Sequence, residues 1–360
     1  MLKNADLAEL LAADAKDAEG VMKQALKRAA RSAFLWPEHA ADLLQAGRSL
    51  TELHGVGPSL AKRISVWIEK PRALPRVRDP LRRDFLTLAD ARIALQKKPE
   101  WAARLRGDLQ MHTRWSDGSG TVQEMAEAAA ERDYEYIAIT DHTKGLRIAG
   151  GIDEAAVARQ GIEIAKVNAK SSVTVLRSVE LNLNPRGEGD MDRNCLAKLD
   201  LVLGSFHSAL RKKEDQTDRY LAALHNSDIQ TLGHPRGRIY NYRIGLRADW
   251  SRVFDAAAKL DKALEIDSYP DRQDLNVSLL KLARKSGCRI SIGTDAHHAT
   301  QFGFIELGLA AALIAKIPAE RIINFLPLAE LKKWVASVRP GSGDGRRQRA
   351  EGGCIVSGLR

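Results

Sequence analysis

The sequence predicts an α/β protein, a barrel of strands and helices preceded by a small all-α unit. Three observations predict it. From Gly107 to about Val338, short β-branched runs alternate with helical patterns such as Val122 to Glu131 and Leu275 to Lys285, the mark of repeated βα units. Several of those runs end on a histidine or a carboxylate, where the C-terminal rim of a βα barrel gathers its functional groups. Composition also shifts near residue 70 and again near 107, setting a helical segment and a basic connector ahead of the barrel.

Residues 1–70 read as short amphipathic helices over Ala5 to Ala13 and Val21 to Ala33, with a third opening at Pro37, whose fixed φ suits a first turn. Residues 71–106 form a Pro- and Arg-rich connector with Arg72, Arg76, Arg78, Arg82 and Arg83, and one helix near Phe85 to Lys97. Residues 107–338 are the barrel. Residues 339–360, with Gly341-Ser342-Gly343-Asp344-Gly345-Arg346-Arg347, have no apolar period and read as a disordered basic tail.

The 360 residues, 44% hydrophobic and 28% charged, exclude a wholly disordered, collagen-like or disulfide-dense chain. No stretch is long and apolar enough to span a membrane and the first residues lack the apolar core of a signal peptide, so the expectation is a cytoplasmic protein without a membrane partner. Cys195, Cys288 and Cys354 are far apart and form no Cys-x-x-Cys pair, so no thiolate zinc site is expected. The net charge of +10 favours polyanionic partners without identifying one.

The strand ends carry the chemistry. Tyr136 to Thr140 runs into Asp141 and His142, Val173 to Val179 into Glu180, Leu201 to Phe206 into His207, Ile229 to Gly233 into His234, and Arg289 to Thr294 into Asp295 and His297. Ala263-Leu264 leads likewise into Glu265 and Asp267. One histidine at a strand end is usually a satisfied rim residue. Here His112, His142, His207, His234 and His297 are five of the nine histidines and stand beside Glu180 and Asp295, which predicts a metal cluster. His39, His54, His225 and His298 are assigned no ligand role. Imidazoles and carboxylates without thiolates suit two to three divalent ions, Mn²⁺, Zn²⁺ or Fe²⁺, and point to phosphoester hydrolysis.

These motifs resemble those of the PHP (polymerase and histidinol phosphatase) superfamily: Gly107 to Gly118 with Gln110, His112 and Asp117, Thr140-Asp141-His142, Ser205 to Ser208, Gly233-His234-Pro235 and Thr294 to His297. The nearest likeness is to the C-terminal domain of bacterial family X DNA polymerases, including Leu264 to Arg272. The resemblance implies a distorted seven-stranded (βα)7 barrel with a trinuclear metal site. It gives one ion to Gln110, His112, Glu180 and Asp295, a second to Asp117, His142 and His297, and a third to Glu180, His207 and His234, with Glu180 as the bridge. Among these, Glu180, His112 and Asp295 stand closest to the chemistry. Gln110 replaces a histidine common in the superfamily, and a neutral amide binds a zinc-like ion less well than imidazole. Asp141 is expected behind the ligands, orienting the loop.

Leu53 to Ile64 has a helix-hairpin-helix form: the Gly55-Val56-Gly57 turn and the helix after it can hold a DNA phosphate, with Lys62 and Arg63 beside it. Residues 1–70 resemble the N-terminal DNA-binding domain of family X polymerases. The connector 71–106 has no room for a polymerase core, and the position of the lyase branch's Schiff-base lysine falls on Arg63, which cannot act as an amine nucleophile. The expected activity is therefore metal-dependent hydrolysis of DNA ends, as a 3′–5′ exonuclease or a 3′-end-cleaning repair enzyme, with Arg236 and Arg238 as phosphate contacts and Trp115, Tyr240 and Tyr242 as stacking residues. The alternative is a small-molecule phosphatase resembling histidinol phosphatase.

Overall fold

The structure is a computed structural model that describes residues 1–74 and 79–339. Arg76, Arg78 and the expected basic tail from Pro340 onward lie outside the described residues.

The helical unit comprises α1 (Asn4–Asp17), α2 (Gly20–Ser32), α3 (Ala40–Gln45) and α4 (Pro58–Glu69). Leu7, Leu10, Leu11, Leu26, Trp36, Leu43 and Ile64 are buried in a core of their own. Truncating any of these leucines to alanine should cost about 2–5 kcal/mol. The third helix opens at Ala40 rather than Pro37. Asn4 decides this: its Oδ1 accepts the Ala40 N–H at 2.9 Å and its Nδ2 donates to Glu38 O at 2.9 Å, holding the preceding residues extended.

The connector is more ordered than its composition suggests. It holds α5 (Leu88–Gln96), capped by Thr87 Oγ1 on the Asp90 N–H, and α6 (Pro99–Ala102). Ala91 and Leu95 are buried in the barrel's core, and Trp101 Nε1 donates to Leu309 O at 3.1 Å.

The barrel wall and its helices then alternate: β1 (Gly107–Asp108), α7 (Val122–Ala130), β2 (Tyr136–Ile139), α8 (Glu154–Asn168), β3 (Thr174–Arg177), β4 (Glu180–Asn182), α9 (Arg193–Leu196), β5 (Leu203–Ser205), α10 (Thr217–His225), β6 (Thr231–Leu232), α11 (Trp250–Lys259), β7 (Ala263–Asp267), α12 (Val277–Ser286), β8 (Arg289–Gly293), α13 (Ile305–Ile314) and α14 (Leu328–Val338). All strand pairings are parallel, in two sheets ordered β1-β2-β3 and β4-β5-β6-β7-β8. Isolated parallel bridges join the sheets in two places, from His142 beyond β2 to Glu180 of β4 and from Met111 beyond β1 to Ala296 beyond β8. Asn324 helps close the second seam: it is fully buried, donates to Gly107 O and Ile292 O at 2.9 and 2.7 Å, and accepts the Ile292 N–H at 2.7 Å.

The helical unit docks on the barrel through an aromatic triad. The Tyr240 ring centroid lies 4.7 Å from Phe34 and 5.2 Å from Phe85. Beside it, Arg82 grips Glu9 with two bonds of 2.9 and 3.0 Å, both side chains nearly buried. Removing one partner would strand the other's charge, at about 3–5 kcal/mol.

Candidate metal centre

The rim of the barrel is where its strands stop being apolar. β2, β5, β6 and β7 are buried along their lengths, and β8 at every residue after Arg289, so the polar residues that end the runs emerge at the same end. Around Glu180, which is fully buried, the imidazoles converge. Its Oε1 lies 2.6 Å from His234 Nε2 and 3.2 Å from His207 Nε2; its Oε2 lies 3.0 Å from His142 Nδ1 and 3.5 Å from His112 Nε2. His112 Nε2 is 2.9 Å from Asp295 Oδ1. Asp117 sits on the outer side, 3.4 Å from His297, 3.6 Å from His142 and 3.8 Å from His112. His112 stacks between His142 and His297, with centroids 4.4 and 4.5 Å away.

The supports are equally specific. His207 Nδ1 meets Asn182 Oδ1 at 3.2 Å and His297 Nδ1 meets Asp295 O at 2.7 Å, which leaves each Nε2 to face the carboxylates. Asp141 accepts from the Thr113 N–H at 2.8 Å and from Thr113 Oγ1, Ser116 Oγ and Gln160 Nε2 at 2.5–2.6 Å, so it fastens the loop that carries His112 and Asp117. Asp295 holds a left-handed backbone, φ +52°, of the kind that persists where surrounding structure enforces it.

Electrostatics follow from the burial. Burial alone would raise Glu180, but His142, His207 and His234 outweigh it and hold the carboxyl well below its usual range. Burial would lower His142, yet Glu180 and then Asp117 raise it to about 10; His297 is likewise raised to about 9 against burial by Asp117 and Asp295. Desolvation wins at His207, which is lowered.

These residues fit a metal. Both nitrogens of His112, His142 Nδ1, both oxygens of Glu180, His207 Nε2 and His234 Nδ1 are buried without a hydrogen-bond partner among the described residues. Leaving one such group unsatisfied costs about 1–3 kcal/mol. A divalent cation satisfies several at once. One ligand atom from each of His112, Asp117, His142 and His297 falls within 4.8 Å of the others, and His142, Glu180 and His207 do the same.

Three groups at the rim, Glu265, Asp267 and Arg272, lie in stretches already marked in the sequence but were given no role there. Glu265 is fully buried, accepts the His234 N–H at 2.7 Å, and is pushed well above the usual carboxyl range by burial and by Glu180, Asp295 and Asp108. Gln110, expected as a ligand, turns its amide to this carboxyl. Asp267 and Arg272 form the remaining wall, with Arg272 Nε 3.4 Å from Asp295 and 3.7 Å from Asp267. The strand-end position of Glu265 and Asp267 was the available signal; the reach of Arg272 depends on a loop that periodicity does not describe.

The expected DNA contacts fare unevenly. Arg238 is 3% exposed, lies 3.6 Å over the Phe85 ring and donates to Arg83 O and Asp84 O, so it pins the connector and offers nothing to a ligand. Arg236 is half-buried and donates to Ile244 O. Arg63 pairs with Asp14 at 2.8 Å, whereas Lys62 is exposed. Gly55 and Gly57 border a surface cavity of about 590 Å³ with Arg28 and Ser59. Trp115 Nε1 donates to Glu163 and Tyr240 belongs to the docking triad, so both side chains are tied to other partners; Tyr242 is 58% exposed.

The model of the PHP domain matches residues 108–299. A DNA polymerase/3′-5′ exonuclease of Bacillus subtilis is 33% identical over 234 residues, 64% of this chain and 41% of that protein, so the chain spans about four tenths of this relative. A probable phosphatase of Photobacterium profundum is 30% identical over 228 residues, 60% of this chain and 88% of that protein. A solved histidinol phosphate phosphatase of Lactococcus lactis, complexed with zinc, L-histidinol and phosphate, covers 59% of this chain and 93% of its own at 18% identity, with a TM-score of 0.43.

Proposed function

Because the chain belongs to the PHP domain family, and is a metal-dependent hydrolase, we propose that it hydrolyses phosphoesters at DNA ends, as a 3′–5′ exonuclease or 3′-end-processing enzyme. One observation carries this reading: the Glu180-centred imidazole cluster sits in a barrel on which a helical unit with a Gly-x-Gly turn is docked. The Bacillus relative, named as a polymerase and exonuclease, supports the DNA substrate. We read residues 1–70 as the DNA-binding unit, 71–106 as its connector and 107–338 as the phosphoesterase, with β3 and β4 as one interrupted strand of a seven-position wall.

In this reading Gln110, His112, Glu180 and Asp295 would hold one ion, Asp117, His142 and His297 a second, and Glu180, His207 and His234 a third, of Mn²⁺, Zn²⁺ or Fe²⁺. Bound there, such ions supply Lewis-acid polarisation of phosphoryl oxygens and acidify water. The protein's own groups do the rest. Asn182 and the Asp295 carbonyl keep His207 and His297 in one ring orientation. Arg272 brings a guanidinium to the edge of the cluster, where it can donate two parallel bonds to two oxygens of a phosphoryl group. Gly55, Gly57 and Lys62 would grip the DNA backbone away from the reacting end.

The small-molecule alternative has its own support, since the chain spans 88% of a probable phosphatase. The experiment that separates the two is hydrolysis of end-labelled DNA beside histidinol phosphate, with Mn²⁺ added. A higher kcat/KM on DNA, with release of single nucleotides from 3′ ends, supports the DNA reading. Turnover confined to histidinol phosphate replaces it.

A further inference from the structure

The loops that follow β5 and β6 do more than connect. Ser208 to Glu214 starts one residue beyond His207, and Arg236 to Arg247 starts two beyond His234, so both leave the rim directly from the metal cluster. Between them lies a groove of about 560 Å³. Its walls carry Arg211, Lys212, Lys213, Arg243 and Arg247. Of these five cations only Lys212 meets a carboxylate among the described residues, Glu214 at 3.1 Å. Tyr242 stands in the same groove, 58% exposed, with the Arg211 guanidinium 4.5 Å from its ring centroid and Ile244 exposed nearby.

We propose that this groove is the path of a single-stranded nucleic acid leading into the metal cluster, with Arg211, Lys213 and Arg247 on successive phosphates and Tyr242 stacked on an unpaired base. The inference rests on the DNA reading above and adds where the strand lies and why it must be single.

Three features favour this occupant over other anions. Uncompensated cations in a row suit a repeating charge, whereas a lone phosphate needs only one or two of them. An exposed ring inside a basic groove presents a face that every base can cover and that a duplex, with its bases already stacked, cannot use. The groove also opens toward the chemistry: its walls are the two loops that leave the rim at His207 and His234, and its cations form a chain along them. A polyanion laid along that chain relieves its repulsion. The groove is built firmly enough to hold a fixed path. Asn241 N–H donates to Leu81 O at 2.9 Å, the Ile239 and Arg243 backbones pair, and Gly237 packs against Leu210 from the facing loop.

The test uses the full chain with chelator present, so that binding is read without cleavage. Fluorescence anisotropy of a labelled oligothymidylate gives affinity against salt. Tyr242→Ala should weaken binding roughly five- to hundredfold, the range for losing one stacked base, while Tyr242→Phe restores it. The triple variant Arg211→Gln, Lys213→Gln, Arg247→Gln should lower the slope of log K against log salt by about 2, at roughly 0.7 per phosphate contact on a single strand. All four side chains are exposed, and unchanged melting temperatures and metal content would show the variants folded. If wild-type protein binds and cuts DNA while these variants bind with the same affinity and slope, the groove is overturned and the DNA reading stands. Equal weakening of binding to blunt duplex and single strand by Tyr242→Ala overturns the single-strand assignment. Absence of any DNA binding or cleavage by wild type overturns the DNA reading itself.

Discussion

The Gln110 side-chain amide faces the Glu265 carboxyl, its nitrogen 2.5 and 3.0 Å from the two oxygens when the amide is oriented to donate. This pairing explains how a buried carboxyl is tolerated beside Glu180 and Asp295, both of which oppose its ionisation. It also engages the one expected ligand that is not an acid or an imidazole.

Gln110→His should therefore strengthen the first ion's site. An imidazole at this place can keep one nitrogen on Glu265 and turn the other to the cluster, an arrangement that fixes ring orientation and raises ligand basicity. Metal content after exhaustive dialysis should rise toward three equivalents, with hydrolysis retained. Faster loss of metal than in wild type would show that Gln110 is needed for its amide, as a partner of Glu265.

Glu180 is the residue on which the cluster depends most, because four imidazoles face its two oxygens. Glu180→Gln keeps the shape and removes the charge. It should lower kcat by several kcal/mol of barrier, on the order of 10² to 10³-fold or more. At least one metal equivalent should go with it. Near-normal turnover at saturating metal would remove its bridging role.

The metal-free protein should have its own stability profile with pH. His142 and His297 are raised to about 10 and about 9, so the stability they lend is complete below the unfolded imidazole value of about 6.5 and is lost as pH climbs through 9 to 10. Glu265 and Asp267, held protonated chiefly by burial, push the same way: above about pH 4 the unfolded chain ionises these carboxyls while the folded chain keeps their protons, which costs stability as pH rises. Glu180, Asp117 and Asp295 are lowered; their contribution is present above about pH 4 and is lost as pH falls further. With chelator, the melting temperature should peak between about pH 5 and 6.5 and fall steadily toward pH 10. Metal should flatten the alkaline fall, because protons and ions compete for His142 and His297. A chelated protein whose melting temperature rises from pH 7 to 9.5 would contradict these assignments.

The legibility of this site in the sequence has a simple physical source. A strand buried on both faces writes an unbroken apolar run, and the run's end marks the rim, so Asp141, His142, Glu180, His207, His234, Asp295 and His297 could be read as converging before any fold was known. The strand before Glu180 shows the limit of that reading: Val173 to Val179 reads as continuous, yet it breaks after Arg177, and the Glu180 N–H turns to Thr140 O and Asp141 O instead. What composition hides is the use of arginine. Arg238 and Arg236 carry the charge that a phosphate contact needs, but Phe85, more than 150 residues away in sequence, and the backbone of the connector take Arg238 into the interior. Arg211 and Arg247, which stand in the groove, have the same local sequence character as their buried neighbours. Only packing at long range sorts them.

The two glycines of the hairpin turn differ in what they require, and that difference gives the cleanest test of the helical unit. Gly55 has φ +79°, and a Cβ there would meet Ser32 Oγ at 3.0 Å, so any side chain is strained and crowded. Gly57 has φ −85° and ψ 173°, an extended conformation open to any residue, and a Cβ there meets nothing within 4 Å. It is the N-cap of α4, where threonine is as good as glycine. Gly55→Thr should thus destabilise the unit by roughly 1–2 kcal/mol or more, and any loss of DNA binding would be ambiguous. Gly57→Thr should leave the melting temperature almost unchanged while filling the space through which a phosphate would approach the first turn of α4. If the turn holds DNA, the salt slope for a duplex with a single-stranded overhang should fall by roughly 0.7 to 0.9, one phosphate contact, with metal content unaffected. Lys62→Gln, one turn further along on an exposed position, should lower the slope by a similar amount. Unchanged affinity and slope in both Gly57→Thr and Lys62→Gln would leave the hairpin as a helix connection and place the DNA contacts elsewhere on the chain.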